Sequence, residues 1–288
     1  MGDLDALVVD GVRYRILDPT GNITALVESD VVVDAQPDVA RRIMQRHPAV
    51  EQVGFVSHED AGSGDGRPSV RMRMAGGEFC GNATMSAAAL LLWRMGGEWD
   101  VADPDAWTNV LVRVWGVREP VEVRLQPCED GSFRGGVRMP PAEGVELPEL
   151  TFGSLTGQIP LVRMVGISHV VIEASSVFAG LRGDRAAAER AVRAWCAELA
   201  TDGLGLMFLS QGEEGYELTP LVYVPGGDTV FWENSCASGT SAVGIYLARK
   251  TGTAVDMTLQ EPGGSLRVTS DPASGETWLY GSVRMAQV

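Results

Sequence analysis

The sequence predicts an α+β protein of two related halves, each with strands around one buried helix. The first observation is a cysteine motif that occurs twice, at 79–84 (Phe-Cys-Gly-Asn-Ala-Thr) and at 235–240 (Ser-Cys-Ala-Ser-Gly-Thr). The second is a run of small and apolar residues, of helical length, after each copy, at 86–93 and 241–248. Because a helix that is apolar on most sides must be buried, we expect both runs to lie inside a layer of strands.

Each motif places a thiol in a tight turn of small residues directly before the predicted helix. The start of a helix carries free N–H groups and the positive end of the macrodipole, which favour an anion and lower the pKa of a thiol. Two such sites predict a symmetric active site with Cys80 on one side and Cys236 on the other. The alternative for each cysteine is a small buried hydrophobe, the usual role of a free cysteine.

The other elements are predicted from apolar periodicity and turn residues. In the first half, strands are predicted at 14–17, 23–27, 52–56, 70–74, 110–114 and 121–125, and an amphipathic helix at 37–47. Further along, strands are predicted at 135–139, 161–165, 169–172, 206–209, 218–224, 257–259, 266–268 and 278–283, and a helix capped by Asp184 at 184–199. We place the first half at residues 1–132 with the C-terminal strand 274–288, and the second half at 133–273.

The glycine-rich loop at 61–66 is predicted to be a hairpin connection. It resembles a phosphate-binding loop in its glycines, but neither a Lys-Ser or Lys-Thr pair nor a helix follows it. The sequence therefore predicts no nucleotide site there.

Composition and charge exclude several classes of protein. With 45% hydrophobic and 21% charged residues, the 288-residue chain has the composition of a soluble globular enzyme. The formal net charge of −15 argues against nucleic acid or an anionic membrane as a partner. The N-terminus lacks the pattern of a secretory signal, and no apolar run is long enough to cross a bilayer. The four cysteines form no CxxC pair, so we expect no disulfide framework, no metal site and a cytoplasmic location with reduced thiols.

The paired motifs resemble those of the cofactor-independent amino-acid racemases and epimerases, a family that includes diaminopimelate epimerase and proline racemase. The wording of 76–84 (Gly-Gly-Glu-Phe-Cys-Gly-Asn-Ala-Thr) and of 233–236 (Glu-Asn-Ser-Cys) is most similar to the histidine racemase branch. The resemblance covers nearly the whole chain. It implies a diaminopimelate epimerase-like fold, in which each half wraps a mostly antiparallel sheet around a central helix and the active site lies in the cleft between the halves.

The resemblance also implies roles for single residues. Asn22 matches the asparagine of the family's N-terminal turn, which contacts substrate, and Gln52 matches a glutamine near the substrate of diaminopimelate epimerase. His169 falls where the epimerases carry a histidine. Their Glu-Arg pair before the second cysteine is absent as such, and Glu233-Asn234 stands three residues before Cys236 instead. The plainer alternatives are that Asn22 serves only its turn, that His169 is a satisfied core residue and that Glu233 is a surface charge.

Two departures from the epimerase pattern concern substrate recognition. The epimerase segment Gly-Asn-Pro-His is replaced at 166–169 by Gly-Ile-Ser-His, and another asparagine position falls in Gly203-Leu204-Gly205. In the epimerases both asparagines bind the distal amino-acid end of diaminopimelate. Because an apolar group there would leave a zwitterion unpaired, diaminopimelate is a poor substrate for this chain.

The chemistry of racemisation matches two opposed thiols. Removing the Cα proton from one face and returning a proton on the other needs an acid/base group on each side, and a thiol tuned towards the operating pH can serve as either. Helix-start N–H groups are expected to hold the substrate carboxylate, and they belong to Gly81, Asn82, Ala237, Ser238 and Gly239. Glu233, and as an open alternative Glu78, are candidates to neutralise the substrate ammonium. No lysine motif for pyridoxal phosphate stands out, so no cofactor is expected.

Other functions remain open at this point. The first alternative is an epimerase of the diaminopimelate or proline type. The others are a hydrolase or transferase using one cysteine with His169, and a non-catalytic amino-acid binder or redox sensor on the same scaffold. The prediction is a racemase or epimerase of a free amino acid such as histidine, with a small molecule as its partner and a homodimer as the default assembly.

Overall fold

The computed structural model describes residues 6–57, 66–96, 107–213 and 215–286, which form a mixed α/β fold. The chain divides into two compact units. The first comprises Met1–Arg138 and Tyr280–Val288, and the second comprises Met139–Leu279. Within the described ranges, none of the helices combines the length and the apolar character that crossing a bilayer requires.

The first unit consists of two helices and a series of short strands. Its strands are β1 (Leu7–Val9), β2 (Val12–Pro19), β3 (Thr24–Val27), β4 (Gln52–Ser57), β5 (Ser69–Met74), β6 (Thr108–Val114), β7 (Val121–Pro127) and β8 (Phe133–Arg138). Its helices are α1 (Gln36–Arg46) and α2 (Gly81–Met95), and a 3-10 turn at Val33–Ala35 precedes α1.

The second unit has the same kind of composition. Its strands are β9 (Gly144–Glu146), β10 (Glu149–Phe152), β11 (Leu155–Gln158), β12 (Leu161–Met164), β13 (Ile167–Glu173), β14 (Leu204–Gly212), β15 (Gly215–Val224), β16 (Thr229–Trp232), β17 (Val255–Glu261) and β18 (Gly264–Ser270). Its helices are α3 (Arg185–Glu198) and α4 (Ala237–Thr251), with 3-10 turns at Ala179–Gly183 and Pro225–Gly227. The last strand, β19 (Thr277–Met285), runs back into the first unit, where its end pairs with β2.

In the described parts of the chain, each of the four α-helices connects two parallel strands, while sequential strands joined by short turns pair antiparallel. The parallel pairs are β3 with β4 across α1, β5 with β6 across α2, β13 with β14 across α3, and β15 with β17 across α4. Parallel strands need such a crossover because the first strand ends at the opposite end of the sheet from where the next strand begins. The two cysteine helices, α2 and α4, thus hold the same place in the order of elements.

The cysteine helices are buried along most of their length, as their composition predicts. Small residues allow this because they let strands approach the helix axis closely. A Cβ added to Gly244 of α4 would lie 2.7 Å from Val268 Cγ2 of β18. Both helices end at a glycine in the left-handed conformation, Gly96 (φ 59°) and Gly252 (φ 70°), where a side chain would be strained.

Helix α3 supplies the core of the second unit. Trp195 is fully buried and its ring packs edge-on against Phe178, with ring centroids 4.9 Å apart. Its indole N–H donates to the carbonyl oxygen of Thr151 at 2.9 Å, so the one polar atom of the side chain is satisfied.

The N-terminus of α3 provides a prediction about stability. Asp184 caps the helix as its sequence predicts, and its Oδ1 accepts from the N–H of Ala187 at 3.0 Å. We expect Asp184→Ala to lower the free energy of unfolding by about 0.5–2 kcal/mol, because that N–H loses its acceptor. Urea denaturation measures the change, and Asp184→Asn is the control because its side chain caps equally well. Equal losses in both variants would contradict the capping role.

The strands and helices predicted from periodicity are confirmed, with ends shifted by a few residues. The sequence missed five strands that are short or lie near the surface. These are β1, β9, the separate hairpin of β10 and β11, and β16. In the hairpin, Leu155 is 39% exposed and the strands lack a regular apolar face, so periodicity carried no signal. The loop predicted at 61–66 lies, apart from Gly66, outside the described residues.

Candidate active site

Cys80 and Cys236 have the same local geometry, each in its own unit. Cys80 is the N-cap of α2 with φ −130° and ψ 112°, and Cys236 is the N-cap of α4 with φ −127° and ψ 99°. The sulfur of Cys80 accepts from the N–H of Ala83 at 3.4 Å, and that of Cys236 accepts from the N–H of Gly239 at 3.4 Å. Both thiols are buried, so each sulfur lies where helix N–H groups and the macrodipole act on it.

The residues whose N–H groups were predicted to bind a carboxylate lie in the first turns of these two helices. All of them are buried: Gly81, Asn82, Ala237, Ser238 and Gly239. Ser238 also places its hydroxyl oxygen 3.7 Å from the sulfur of Cys236. Their placement by the helix start follows from the sequence, since the first N–H groups of a helix have no partner in the helix itself.

In the first unit, Asn22 lies in the turn between β2 and β3. Its side chain is fully buried, and its amide donates to Glu51 Oε2 at 2.8 Å, a contact that sequence reasoning did not foresee. Its Oδ1 has no hydrogen-bond partner among the described residues. Gln52 follows Glu51 as the first residue of β4 and is half-buried. A buried amide oxygen without a partner is a place where a ligand could donate a hydrogen bond.

Glu78 stands two residues before Cys80 and is only partly exposed. Burial raises the pKa of the Glu78 carboxyl, while a backbone hydrogen bond and the charge of Arg73 act in the opposite direction. One of its oxygens, Oε2, has no hydrogen-bond partner among the described residues. The side chain also limits Gly76, where an added Cβ would lie 2.3 Å from that oxygen.

In the second unit, two carboxyl groups surround Cys236. Glu233 is buried, and its side chain forms a hydrogen bond with the thiol of Cys236. Glu261, the last residue of β17, accepts from the backbone N–H of Cys236 at 2.8 Å and from the hydroxyl of Thr240 at 2.5 Å. Burial raises the pKa of Glu261 to about 8, and the charge of Glu233 adds to the shift.

Burial, together with these carboxyls, overturns the expectation that the helix start lowers the pKa of Cys236. Burial raises the pKa of this thiol well above its ordinary value, and the negative charges of Glu233 and Glu261 raise it further. The N–H of Gly239 acts the other way but is the weakest of these influences. A like charge and loss of solvent both disfavour the thiolate, and together they outweigh the helix dipole.

His169 lies in the middle of β13 and is fully buried. Burial alone lowers the pKa of its ring to about 3, so the imidazole is neutral near neutral pH. Neither ring nitrogen has a hydrogen-bond partner among the described residues. Because a neutral imidazole has one donor and one acceptor, both are left for a ligand or water.

Glycines provide the space between His169 and Cys236. Gly205 of β14 pairs with His169, and a Cβ there would lie 2.3 Å from His169 Nδ1. The side chain of Met207 fills the next position: its sulfur would lie 2.1 Å from a Cβ at Gly239, and that Cβ would be 3.1 Å from the sulfur of Cys236. In the second unit, the flexible side chain of Met207 therefore lies near both the imidazole of His169 and the thiol of Cys236.

The comparisons with known proteins bear on this arrangement. The family described as "Histidine racemase CntK N-terminal domain" matches residues 11–285. The chain belongs to this histidine racemase family. Its members are amino-acid racemases, so the protein is an isomerase of the racemase and epimerase class.

Individual relatives agree with the assignment to the histidine racemase family. A histidine racemase of Staphylococcus aureus is 29% identical over 261 residues, which is 90% of this chain and 88% of the relative. A histidine racemase of Fusobacterium nucleatum is 29% identical over 254 residues, covering 84% of each chain.

Solved structures show the same fold at lower identity. A probable proline racemase from Agrobacterium radiobacter K84 has a TM-score of 0.64 at 16% identity, covering 96% of this chain and 92% of its own. A predicted epimerase from Pseudomonas aeruginosa has a TM-score of 0.65 at 17% identity, covering 96% and 97%. A PhzF-family phenazine biosynthesis protein from Bacillus anthracis has a TM-score of 0.57 at 12% identity, with the same coverage as the epimerase.

The remaining predicted residue of this histidine racemase family member, Asn234, is exposed, and its carbonyl oxygen accepts from the N–H of Gly263 at 2.7 Å. Sequence reasoning missed Glu51, Met207 and Glu261. A signal for Glu261 was present, because alternation along β17 puts it on the same face as the buried Leu259. Among the described residues, no three His, Cys, Asp or Glu side chains are grouped so as to hold a metal ion.

The buried imidazole leads to a prediction about pH. The ordinary pKa of 6.5 applies to the unfolded chain, whereas the folded value is about 3. Between these values the unfolded chain binds a proton that the folded chain does not, so stability falls as pH decreases from about 6.5 to about 3. This group alone contributes a slope of at most about 1.4 kcal/mol per pH unit.

The variant His169→Gln removes this titration and keeps a donor and an acceptor. We expect its free energy of unfolding, measured with urea at a series of pH values, to fall less steeply with acid than that of the unchanged protein. Parallel curves for the two proteins would show that His169 titrates normally in the fold and would contradict its burial as a neutral ring.

Proposed function

We propose that this protein racemises a free amino acid by a two-thiol acid/base mechanism, with histidine as the first candidate substrate. The observation that carries the proposal is the repeated geometry of Cys80 and Cys236, each an N-cap with its sulfur accepting an N–H of the following turn. Membership of the histidine racemase family supports both the reaction class and the candidate substrate.

The proposed arrangement is that of the diaminopimelate epimerase-like fold. Each of the two compact units would form one half, with its sheet around its cysteine helix. The substrate would bind with one thiol on each face of its Cα. This is supported by the fold similarity to a probable proline racemase and a predicted epimerase.

In the proposed reaction, one cysteine acts as a thiolate and takes the proton from Cα. The other acts as a thiol and gives its proton to the opposite face, which inverts the centre. The roles exchange for the other enantiomer. Two opposed groups are required because a single base would have to change faces between the two transfers.

The negative charge that develops next to Cα requires stabilisation within the site. The N–H groups at the starts of α2 and α4 are suited to hold the substrate carboxylate, since each helix start also carries a positive partial charge. One helix dipole contributes about 0.3–1 kcal/mol when exposed and up to about 2 kcal/mol when partly buried. Fixed donors in a site without water are worth far more than in solvent, and both thiols are buried.

Recognition of the rest of the substrate is assigned to five polar residues: Asn22, Gln52, His169, Glu233 and Asn234. Among the described residues, neither the ring nitrogens of His169 nor Oδ1 of Asn22 has a hydrogen-bond partner, so these atoms are suited to bind polar groups of a ligand. A carboxylate such as Glu233 or Glu78 suits the substrate ammonium. Ile167 and Gly203, both buried, occupy the positions that would need polar groups for diaminopimelate.

The net charge and the free cysteines support proposals about the substrate class and the cellular location. The net charge of −15 supports a small-molecule substrate over nucleic acid or membrane, and the four free cysteines suit the reducing cytoplasm. A homodimer is the proposed assembly.

The test is hydrogen exchange at Cα. We expect L-histidine incubated with the protein in D₂O to gain deuterium at Cα while its optical rotation decays to zero, and the same panel should include the other L-amino acids. Exchange and inversion of a different amino acid would replace histidine as the substrate and keep the mechanism. Binding without exchange, or turnover without deuterium in recovered substrate, would reject the racemase in favour of a binder or a one-cysteine hydrolase.

A further inference from the structure

The strongest unassigned feature of the second unit is the carboxyl of Glu261. It lies at the end of β17, directly under the start of α4, and is 8% exposed. One oxygen accepts from the N–H of Cys236 and the other from the hydroxyl of Thr240. The carboxyl is therefore held rigidly against the same residue whose thiol is the proposed acid or base.

Three titratable groups, Cys236, Glu233 and Glu261, meet at this point. Among the described residues, the charges of Glu233 and Glu261 act on Cys236, and the charge of Glu233 acts on Glu261. Each added negative charge disfavours the next when groups are buried together, so the cluster favours few charges and the groups compete for them. If the charge of Glu261 is removed, a negative charge on the Cys236 thiolate becomes less unfavourable.

We propose that Glu261 is a positioning residue that competes with Cys236 for negative charge, so that in the resting enzyme Cys236 is held as the thiol. This rests on the proposed two-thiol function and adds an order to it. The resting enzyme then has Cys236 as the acid and Cys80 as the base for its first turnover.

The first unit differs at the corresponding place. Thr84 occupies the position in α2 that Thr240 occupies in α4, but its hydroxyl donates to the carbonyl oxygen of Cys80 at 2.7 Å. The strand that follows α2, β6, ends in Val114, whereas the strand that follows α4 ends in Glu261. The two cysteine turns share the N-cap geometry, but the threonine hydroxyl of the first helical turn has a different partner in each.

The proton transfers in this order balance. The Cα–H bond breaks and its proton goes to the thiolate of Cys80, while the S–H bond of Cys236 breaks and its proton goes to the opposite face of Cα. After the reaction, Cys80 is a thiol and Cys236 is a thiolate. The enzyme returns to its resting form when Cys80 releases a proton to solvent and Cys236 takes one up.

The test titrates the thiols without substrate. Cysteine labelled with ¹³C at Cβ reports thiol and thiolate as separate chemical shifts, and Cys80→Ser and Cys236→Ser assign the two signals. In Glu261→Gln the amide oxygen can still accept from the N–H of Cys236, and the amide nitrogen can donate to the hydroxyl oxygen of Thr240. The geometry is kept while the charge is lost. We expect the titration midpoint of the Cys236 thiol to fall by about one pH unit or more, and that of the Cys80 thiol to stay unchanged.

A matched variant separates charge from structure. Glu261→Asp keeps the carboxylate, and we expect its Cys236 midpoint to stay closer to that of the unchanged protein than to that of Glu261→Gln. The alkaline limb of the pH profile of kcat/KM should move with the Cys236 midpoint. An unmoved midpoint in Glu261→Gln, or equal shifts in the two variants, would reject the proposal. Because the titration needs no substrate, either result is independent of whether the cysteine variants lose racemisation.

Discussion

We expect replacement of Cys80 or Cys236 with serine to lower the rate of racemisation by about 10²–10⁴-fold, the usual contribution of a general acid or base. A serine hydroxyl is a far weaker acid than a thiol, so it can neither hold the negative charge as a base nor release its proton in time as an acid. Chiral chromatography of the amino acid, started from each enantiomer in turn, measures the loss. Both single variants should be affected, because in the proposed mechanism each turnover uses both thiols.

Two other cysteines provide the control for this experiment. Cys196 is buried in the core of the second unit, with its sulfur 3.3 Å from the carbonyl oxygen of Thr201, and Cys128 is half-buried. Cys128→Ser should leave the rate within about twofold of the unchanged protein, since the substitution changes one partly exposed atom. Full activity in either Cys80→Ser or Cys236→Ser would end the two-thiol mechanism. Loss in one variant alone would favour a hydrolase or transferase that uses one cysteine.

Truncating Trp195 to alanine destabilises the protein by about 3–5 kcal/mol. The side chain is fully buried between α3 and the β10–β11 hairpin, so its removal leaves a cavity against Phe178 and Phe152. It also leaves the carbonyl oxygen of Thr151 without the indole N–H. Unfolding in urea or guanidinium, followed by circular dichroism, measures the loss of free energy.

The matched control is a tryptophan at the surface. Trp115 is 63% exposed, with the guanidinium of Arg73 lying 5.8 Å from its ring centroid. Trp115→Ala should therefore cost less than about 1 kcal/mol. A loss for Trp195→Ala as small as that for Trp115→Ala would mean that the packing around α3 rearranges to fill the space.

Much of the local structure could be predicted because it is coded locally. The capping of α3 by Asp184, the stop of α1 before Pro48 and the two cysteine N-caps each follow from residues a few positions apart. Strand β16 and the β10–β11 hairpin were missed because their residues are half-buried or exposed and show no clean alternation. Periodicity reports burial on one face, and elements without such a face give no signal.

The environment of Cys236 marks the limit of sequence reasoning about the site. Its motif predicts a lowered thiol pKa, yet the pKa is raised, because burial and two carboxyls oppose the thiolate. One of these, Glu261, is 25 residues away in the chain and was not among the predicted residues. Likewise, the glutamate that binds Asn22, Glu51, is 29 residues from it.

The sequence by itself determined the two cysteine turns and the buried small-residue helices that follow them. It also determined the family to which the chain belongs. These depend on the order and spacing of residues within single elements, which the chain carries wherever it folds. The tertiary structure alone decided the protonation of the site, including the neutral ring of His169 and the carboxyl beneath Cys236. A pKa depends on burial and on charges within a few ångströms, and those distances exist only after distant strands have paired.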